Sequence, residues 1–343
     1  MKALVKENRA PGLALRDVDM PLVSQPDDVL FRVECCAICV GELRVVAWDA
    51  WAQEDPTLEI PTVLGHEASG VVVEVGPGVR RVKPGERITL DPFIHCGQCW
   101  QCRSGHTNLC VEREIYGKRR GAFAEYAVLP ERVIARLPEG LSPEEGALLE
   151  NLGVAVHAVE LADLVPGDVA VVIGAGPIGI LIAQALRAQG ATVVLSDLLD
   201  WRLELALLTG DFSPVNPTRQ DCRQVVADLS EGRGARAVIE AAGTQSSLDQ
   251  AFDAVGDGGT VVTLGTFRGP VAFNPFFRMT RREVRLVSSI GRTWETWRRM
   301  TQLIQAGRIR LGPLISHVLP IEQYEQAFEL AGSGRAMKVL LRP

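Results

Sequence analysis

The pattern of hydrophobic and polar positions changes near residue 145. Up to that point, short apolar runs alternate with turns that are rich in Gly and Pro. Short runs bounded by such turns predict β-strands, and they lie at Val29–Val33, Gly70–Val75, Arg87–Leu90 and Phe123–Leu129. We therefore expect the first part of the chain to form an irregular β-barrel-like domain whose loops carry functional residues.

From about residue 161 onward, strands and helices are predicted in alternation. Apolar runs predict buried strands at Val169–Ile173, Thr192–Ser196, Ala237–Glu240, Thr260–Leu264 and Arg285–Ser289. Helical spacing predicts helices at Pro177–Gln189, Trp201–Leu208, Asp221–Leu229 and Ser247–Val255. This alternation is typical of right-handed βαβ units, so we expect a parallel sheet with helices on both faces.

The final segment changes pattern again. A helix is predicted at Trp294–Ala306, and it is followed by a strand, a helix and a strand at Ile315–Pro320, Glu322–Leu330 and Met337–Leu341. A short tail of this kind can return to the first domain and complete its sheet. The fold class expected is therefore α/β, with a β-barrel-like domain and a doubly wound parallel sheet.

Length, charge and hydropathy narrow the functional class. The 343 residues suffice for two cores. The net charge of −6 argues against a nucleic-acid partner, which would require a basic surface. We find neither a signal peptide nor an apolar run of about 18 residues. The sequence thus predicts a cytoplasmic protein that does not span a membrane.

Four of the eight cysteines form one cluster, at Cys96, Cys99, Cys102 and Cys110. In a reducing compartment thiols stay free, so a cluster of this spacing favours metal binding over disulfides. Zinc takes four thiolates tetrahedrally, and a site with all four places filled is structural. The alternatives are an iron–sulfur cluster, although the sequence has no further cysteine cluster to accompany it, and cysteines that are close together by chance.

A glycine-rich segment follows the first buried strand of the second part. It runs Gly174-Ala175-Gly176-Pro177-Ile178-Gly179 and opens a predicted helix, which is the context of a dinucleotide-binding turn. Asp197, at the end of the next strand, would accept hydrogen bonds from the adenosine ribose, and its charge would repel a 2′-phosphate. NAD is therefore favoured over NADP. Arg202 is interpreted either as a residue that stacks on adenine or as a solvated helix residue.

A second candidate metal site is dispersed along the chain. Cys39 ends a strand-like run, His66 and Glu67 follow an apolar run, and Glu150 precedes the alternating part. Singly, each has an ordinary explanation as a buried thiol, a loop histidine or a surface acid. Together with a cofactor motif they suggest a catalytic zinc, which needs about three protein ligands and one open place.

These motifs together resemble the zinc-containing medium-chain dehydrogenase family over nearly the whole chain, and within it the L-threonine 3-dehydrogenases. The segments that carry the likeness are Trp48–Gln53, Gly174–Ile180, Asp197 with Arg202–Ala206, and the tail from Gly291 through Glu295–Trp297 to Ser316-His317. The resemblance implies a GroES-like catalytic domain over residues 1–148, an NAD-binding Rossmann domain over 149–290, and a return segment over 291–343.

The resemblance also implies roles for individual residues. Cys39, His66 and either Glu67 or Glu150 would bind a catalytic zinc, and the four clustered cysteines would bind a structural one. Two zinc ions per chain, NAD and a small alcohol substrate are thus expected. Family members are dimers or tetramers, and the apolar strand Arg285–Ser289 favours pairing between copies.

The chain departs from this subfamily near the expected reaction centre. The threonine enzymes follow the zinc cysteine with Gly-Thr-Asp-x-His, whereas this chain has Val40-Gly41-Glu42-Leu43-Arg44. Gly41 offers no hydroxyl for proton relay, and the Arg44 guanidinium stays protonated. Phe93 and Val154 replace a histidine and an asparagine, which makes the expected pocket more apolar.

These departures leave three hypotheses. The first is NAD-dependent oxidation of a secondary alcohol, with threonine as the substrate nearest the resemblance. The second is a polyol or sugar-alcohol dehydrogenase, and Arg44 would then either hold an anionic substrate group or lie near the cofactor phosphates. The third is a slow-turnover sensor that binds zinc and NAD, supported by the missing relay hydroxyl.

Overall fold

The structure, a computed structural model, describes residues 1–267 and 269–343. Two compact units are present, one built from Met1–Glu150 with Leu314–Pro343 and the other from Asn151–Pro313. The chain thus returns to the first unit at Leu314, later than the Gly291 suggested by the sequence. Within the described ranges, none of the helices combines the length and the apolar character that crossing a bilayer requires.

The strands are numbered in chain order. They lie at β1 Lys2–Lys6, β2 Ala14–Asp17, β3 Asp28–Ala37, β4 Thr62–Val63, β5 Glu67–Val75, β6 Arg87–Leu90, β7 Phe93–Ile94, β8 Glu114–Ile115, β9 Tyr126–Pro130, β10 Ile134–Arg136, β11 Val169–Ile173, β12 Thr192–Ser196, β13 Ser213–Val215, β14 Ala235–Glu240, β15 Val255–Thr263, β16 Arg285–Ser288, β17 Ile315–Pro320 and β18 Lys338–Arg342.

The α-helices follow the same order. They lie at α1 Val40–Ala47, α2 Ala50–Glu54, α3 Trp100–Arg103, α4 Pro143–Ala147, α5 Leu149–Glu160, α6 Pro177–Ala188, α7 Asp200–Leu207, α8 Cys222–Leu229, α9 Gln245–Ala254, α10 Pro275–Arg278, α11 Trp294–Gln305 and α12 Tyr324–Gly332.

The first unit is built around strand β3. Its main sheet has the order β10-β6-β5-β3-β18-β17, and β9 also pairs with β3. Because β3 has partners along both edges and a core beneath it, nearly all of its ten residues are buried, Phe31 among them. The C-terminal strand β18 pairs antiparallel with β3, with Leu340 opposite Ala37. The predicted return of the tail to the first domain is therefore a feature of the sheet.

The second unit contains the parallel sheet that the sequence predicted. Its order is β13-β12-β11-β14-β15-β16, and every neighbouring pair is parallel. Every residue of β11 is buried, as expected for a strand covered by helices on both faces. The strand order changes direction at β11, and in open sheets of this kind ligands bind beyond the carboxyl ends of the strands at that point.

Some local elements differ from the sequence-based prediction. Strand β3 ends at Ala37, and Cys39 is the residue that precedes helix α1 instead of the end of a strand. The backbone N–H of Cys39 donates to Glu42 Oε2 at 2.8 Å, which stabilises this helix start. Helix α9 begins two residues before the predicted Ser247, because Thr244 caps it by accepting from the Ser247 N–H.

Candidate metal centres and cofactor site

The four clustered cysteines converge on one point in the first unit. Their sulfur atoms all lie within 4.8 Å of one another, with 4.0 Å between those of Cys96 and Cys102 and 3.9 Å between those of Cys99 and Cys110. A tetrahedral zinc with bonds of about 2.3 Å would place its sulfur ligands about 3.8 Å apart. The arrangement therefore fits a zinc ion with a complete shell of thiolates.

Backbone N–H groups stabilise negative charge on the sulfur atoms of this cluster. The N–H of Cys96 donates to Cys110 Sγ at 3.3 Å, and that of Cys99 donates to Cys96 Sγ at 3.4 Å. A hydrogen bond from the backbone of Cys102 makes the largest contribution in lowering the pKa of Cys99 to about 6. Burial has the opposite effect on Cys102, whose pKa it raises to about 12. Thiolates are the form that binds metal, so Cys99 is the member of the cluster whose surroundings favour that form near neutral pH.

The dispersed residues of the second candidate site also come together. Cys39 lies at the start of α1, His66 precedes β5, Glu67 begins β5, and Glu150 is the second residue of α5. Ligand atoms of His66, Glu67 and Glu150 lie within 4.8 Å of one another. Cys39 and His66 share the same spacing with a further acid, Glu42. The two groups share His66, and all of their members except Glu42 are candidate ligands that the sequence analysis names.

Glu42 is the member of this cluster that the sequence reasoning missed. Its side chain is buried, one carboxylate oxygen contacts His66 Nδ1, and the other accepts the N–H of Cys39 at 2.8 Å. A carboxylate on the second nitrogen of a metal-binding histidine fixes the ring orientation and tautomer. Its signal in the sequence was an acid in the first turn of a helix directly after a candidate cysteine ligand.

The electrostatics of this cluster call for a cation. Burial and the nearby Glu67 carboxylate raise the pKa of the Cys39 thiol, so a metal ion that bound here would displace its proton. Burial opposes the charged form of His66, but Glu42 raises the pKa of this ring well above its usual range. A thiolate, an imidazole and carboxylates are the donor set that suits zinc.

Gly41 and Arg44 lie on helix α1, immediately after Cys39. A Cβ atom built on Gly41 would have a single neighbour within 4 Å, the Cys39 sulfur at 4.0 Å. The Arg44 Nε atom donates to Asp49 Oδ2 at 2.7 Å, and its guanidinium lies 4.9 Å from the centre of the Trp51 ring. Arg44 is thus held by the Trp-Asp-x-Trp segment, while open space lies beside Cys39.

The two remaining predicted pocket residues are half-buried. Phe93 begins the short strand β7, and its ring centre lies 5.5 Å from the Arg113 guanidinium. Val154 lies in the middle of helix α5, within the second unit. Their contribution to a substrate pocket stays a prediction.

The glycine-rich turn of the second unit has the geometry of a dinucleotide-binding turn. Gly174 has a φ of +103°, which side chains rarely adopt. A Cβ atom on Gly179 would lie 1.8 Å from the Gly174 carbonyl oxygen, whereas one on Gly176 would meet nothing within 4 Å. Pro177 and Ile178 begin helix α6, whose N-terminus favours the negative charge of a pyrophosphate.

Asp197 is oriented by this same turn. Its Oδ2 accepts the Ala175 N–H at 2.7 Å, and its Oδ1 accepts the Leu199 N–H at 2.9 Å. The Arg202 Nη1 lies 3.7 Å from Asp197 Oδ2, and its guanidinium lies 5.4 Å from the Trp201 ring centre. An acid held at the end of the second strand is placed as ribose recognition requires.

Substitution by alanine should have different effects at Gly176 and Gly179. Gly176→Ala should leave stability unchanged but raise the Kd for NADH about tenfold or more, because the new methyl group occupies the approach of the pyrophosphate. Gly179→Ala should lower the free energy of unfolding by about 2 kcal/mol, because its methyl group overlaps Gly174. NADH fluorescence titration and urea denaturation check this pair, and a Gly176→Ala variant with the wild-type Kd would contradict it.

Comparison with protein families finds two matches that cover most of the chain. Residues 25–139 match the alcohol dehydrogenase GroES-like domain, and residues 177–306 match the zinc-binding dehydrogenase model. The first match contains the four-cysteine cluster and the residues from Cys39 to Glu67. The second contains most of the parallel sheet and part of the glycine-rich turn.

Individual proteins resemble the chain over its full length. The L-threonine 3-dehydrogenase of Pyrococcus abyssi is 36% identical over 99% of this chain and 98% of its own. The solved structure of Escherichia coli galactitol-1-phosphate dehydrogenase has a TM-score of 0.90 at 27% identity and covers 100% of both chains. That of alcohol dehydrogenase TADH from Thermus sp. ATN1 has a TM-score of 0.89 at 30% identity and covers 100% of this chain and 99% of its own.

Proposed function

This chain belongs to the zinc-binding dehydrogenase family with an alcohol dehydrogenase GroES-like domain, and we propose that it oxidises a secondary alcohol with NAD at a zinc centre built on Cys39 and His66. The observation that carries the proposal is that His66 joins two groups of candidate ligands from separate parts of the sequence. Its ligand atoms lie within 4.8 Å of those of Glu67 and Glu150, and also within that distance of those of Cys39 and Glu42. Such a set leaves room for a substrate when about three of its members bind the metal.

The protein residues have distinct roles in this proposal. Cys39 and His66, with Glu67 or Glu150, hold the zinc, and Glu42 fixes the orientation of His66 through Nδ1. When bound, zinc acts as a Lewis acid that lowers the pKa of the alcohol, and NAD accepts the hydride. Asp197 selects NAD because its carboxylate accepts hydrogen bonds from ribose and repels an added phosphate. The four-cysteine cluster stabilises its own loop.

The relatives and the space beside Gly41 both bear on the substrate. Threonine is suggested because the similar proteins include L-threonine 3-dehydrogenases. Polyols are suggested by structural neighbours such as galactitol-1-phosphate dehydrogenase. The open space at Gly41 favours a substrate with a polar group next to the reacting carbon, since no enzyme side chain fills that space. A vicinal diol or a polyol meets this condition, and its second hydroxyl can replace the missing relay group.

A substrate screen with a metal count tests the proposal. NADH formation is measured with threonine, polyols, sugar alcohols and simple secondary alcohols, beside zinc analysis of the same sample. We expect two zinc ions per chain and turnover with at least one secondary alcohol, with vicinal diols oxidised faster than the matched mono-alcohols. Absence of turnover across the whole panel, with both metals bound, would contradict the proposal.

The same position predicts a gain of function. The Cβ atom of Gly41→Thr has room, because a Cβ there meets only Cys39 Sγ at 4.0 Å. The new hydroxyl can relay the alcohol proton, so we expect kcat for simple secondary alcohols to rise about tenfold or more. Gly41→Ala is the matched control, since it adds the same Cβ without a hydroxyl. Equal rates for the two variants would show that no relay had been restored.

A slow-turnover sensor is the second candidate function. It is favoured by Gly41 and Arg44, which stand where the threonine enzymes have the relay hydroxyl and histidine. If the protein is a sensor, it should bind NADH and zinc but form no NADH with any alcohol in the screen. Steady turnover would dismiss it.

Assembly and location are part of the same proposal. All eight cysteines are free thiols in the structure, which suits a reducing cytoplasm. Strand β16 lies at the edge of the six-stranded sheet, and Phe276 and Phe277 nearby are exposed. We propose that this edge pairs with a second copy to form a homodimer or homotetramer. Sedimentation equilibrium would distinguish these assemblies from a monomer.

A further inference from the structure

A buried ion pair lies directly beside the proposed catalytic metal. The Lys338 Nζ atom is 2.5 Å from Glu67 Oε2, and the two side chains are 6% and 0% exposed. Lys338 begins β18, which pairs with β3 so that Leu340 lies opposite Ala37. Ala37 in turn lies opposite Glu67 on β5. Sheet pairing thus brings a lysine from the end of the chain to the metal cluster.

A contribution to stability does not explain why this ion pair is present. Removing two charges from water costs about as much as their attraction returns, and a well-packed apolar pair often serves as well or better. The pair is also surrounded by acids. The ammonium group of Lys338 lies 2.5 Å from Glu67 Oε2, which is the distance of an ion pair. A charged lysine is therefore maintained among the candidate metal ligands.

The cluster offers the metal more ligands than a catalytic site can use. Glu67 and Glu150 lie within 4.8 Å of His66, and Cys39 lies within the same distance of His66. A zinc ion that bound all four would have a filled tetrahedral shell, which is the structural type of zinc site. Substrate can bind to the metal only if one of the carboxylates leaves its coordination position free. Glu67 is the candidate, because one of its oxygens already meets an ammonium group.

We propose that Lys338 is a positioning residue that holds Glu67 Oε2 away from the metal, and so keeps one place of the metal shell open for the substrate. This inference rests on the proposed function, since it concerns the same metal site. It assigns Lys338 a role in metal coordination without contact with substrate or cofactor.

Cobalt substitution tests this role without relying on activity. Cobalt(II) replaces zinc on the same ligands, and its visible bands change with coordination number and ligand exchange. In the cobalt wild-type enzyme, added imidazole should bind the open place and shift these bands. In Lys338→Met, whose side chain has a similar length, Glu67 should occupy that place, so the response to imidazole should be lost. In the zinc enzyme kcat should fall by about 10- to 100-fold.

Two further variants separate positioning from folding. Lys338→Arg keeps the cation and should keep the imidazole response. Lys338→Met/Glu67→Gln removes both charges, so neither an unpaired carboxylate nor an extra anionic ligand remains, and the response should return. A double variant that folds but stays unresponsive would overturn the proposal, as would a normal response in Lys338→Met. If the wild-type protein bound only the four-cysteine metal, the proposed function itself would fail.

Discussion

Cys39→Ala is expected to abolish alcohol oxidation while leaving the fold intact. The substitution removes the proposed thiolate ligand at the start of α1, and with it the Lewis acid that the proposed reaction needs. Because metal stabilisation amounts to several kcal/mol, the rate should fall by about 10³-fold or more. Zinc content should drop from two ions per chain to one. Steady-state NADH formation, metal analysis and circular dichroism on the same sample check all three expectations.

Cys222→Ala is the matched control for this prediction. Cys222 is a buried thiol, whereas Cys39 is half-buried. Cys222 begins helix α8 in the second unit and belongs to neither of the cysteine-containing candidate metal clusters found among the described residues. It should keep both zinc ions and full activity. Full activity in a Cys39→Ala sample that contains a single zinc ion would refute the role of Cys39.

Cys99→Ala is expected to have the largest effect on stability. A structural zinc site contributes its binding free energy to folding, and apparent values for small zinc domains reach about 10 kcal/mol. Removal of one of four thiolates leaves the shell incomplete, so the loop from Cys96 to Cys110 should lose its zinc and its order. We expect this loop to be cut first in limited proteolysis and the thermal midpoint to fall by several degrees, with the catalytic zinc retained.

His106→Ala is the control within the same loop. His106 is exposed and lies between Cys102 and Cys110, but its ring is not one of the four ligand positions. It should leave proteolysis and metal content unchanged. A Cys99→Ala protein with two zinc ions and the wild-type midpoint would contradict the structural assignment.

The parts of the site that sequence predicted well are those with local signatures. The four-cysteine loop and the glycine-rich turn each lie within a short segment, so their spacing alone limits the geometry. The parallel sheet was also predictable, because a fully buried strand such as Val169–Ile173 leaves an uninterrupted apolar run. These features depend little on contacts between distant residues.

The parts that sequence did not predict depend on long-range pairing. Lys338 reaches Glu67 only because β18 and β5 both pair with β3, and no local pattern marks that lysine as special. Glu42 lies in the first turn of helix α1, and because that helix was not predicted, its carboxylate was not recognised as a partner of His66. For Arg44 the sequence left two roles open, and the structure adds its contacts with Asp49 and Trp51.

The most direct test of the central claim is hydride transfer from a labelled alcohol. The secondary alcohol that reacts fastest in the screen is prepared with deuterium on its carbinol carbon, and the reduced cofactor is analysed by mass spectrometry. We expect one deuterium in each NADH formed by the zinc-loaded protein, and no product from Cys39→Ala. Unlabelled NADH, or equal transfer by the two proteins, would contradict zinc-dependent hydride transfer at Cys39.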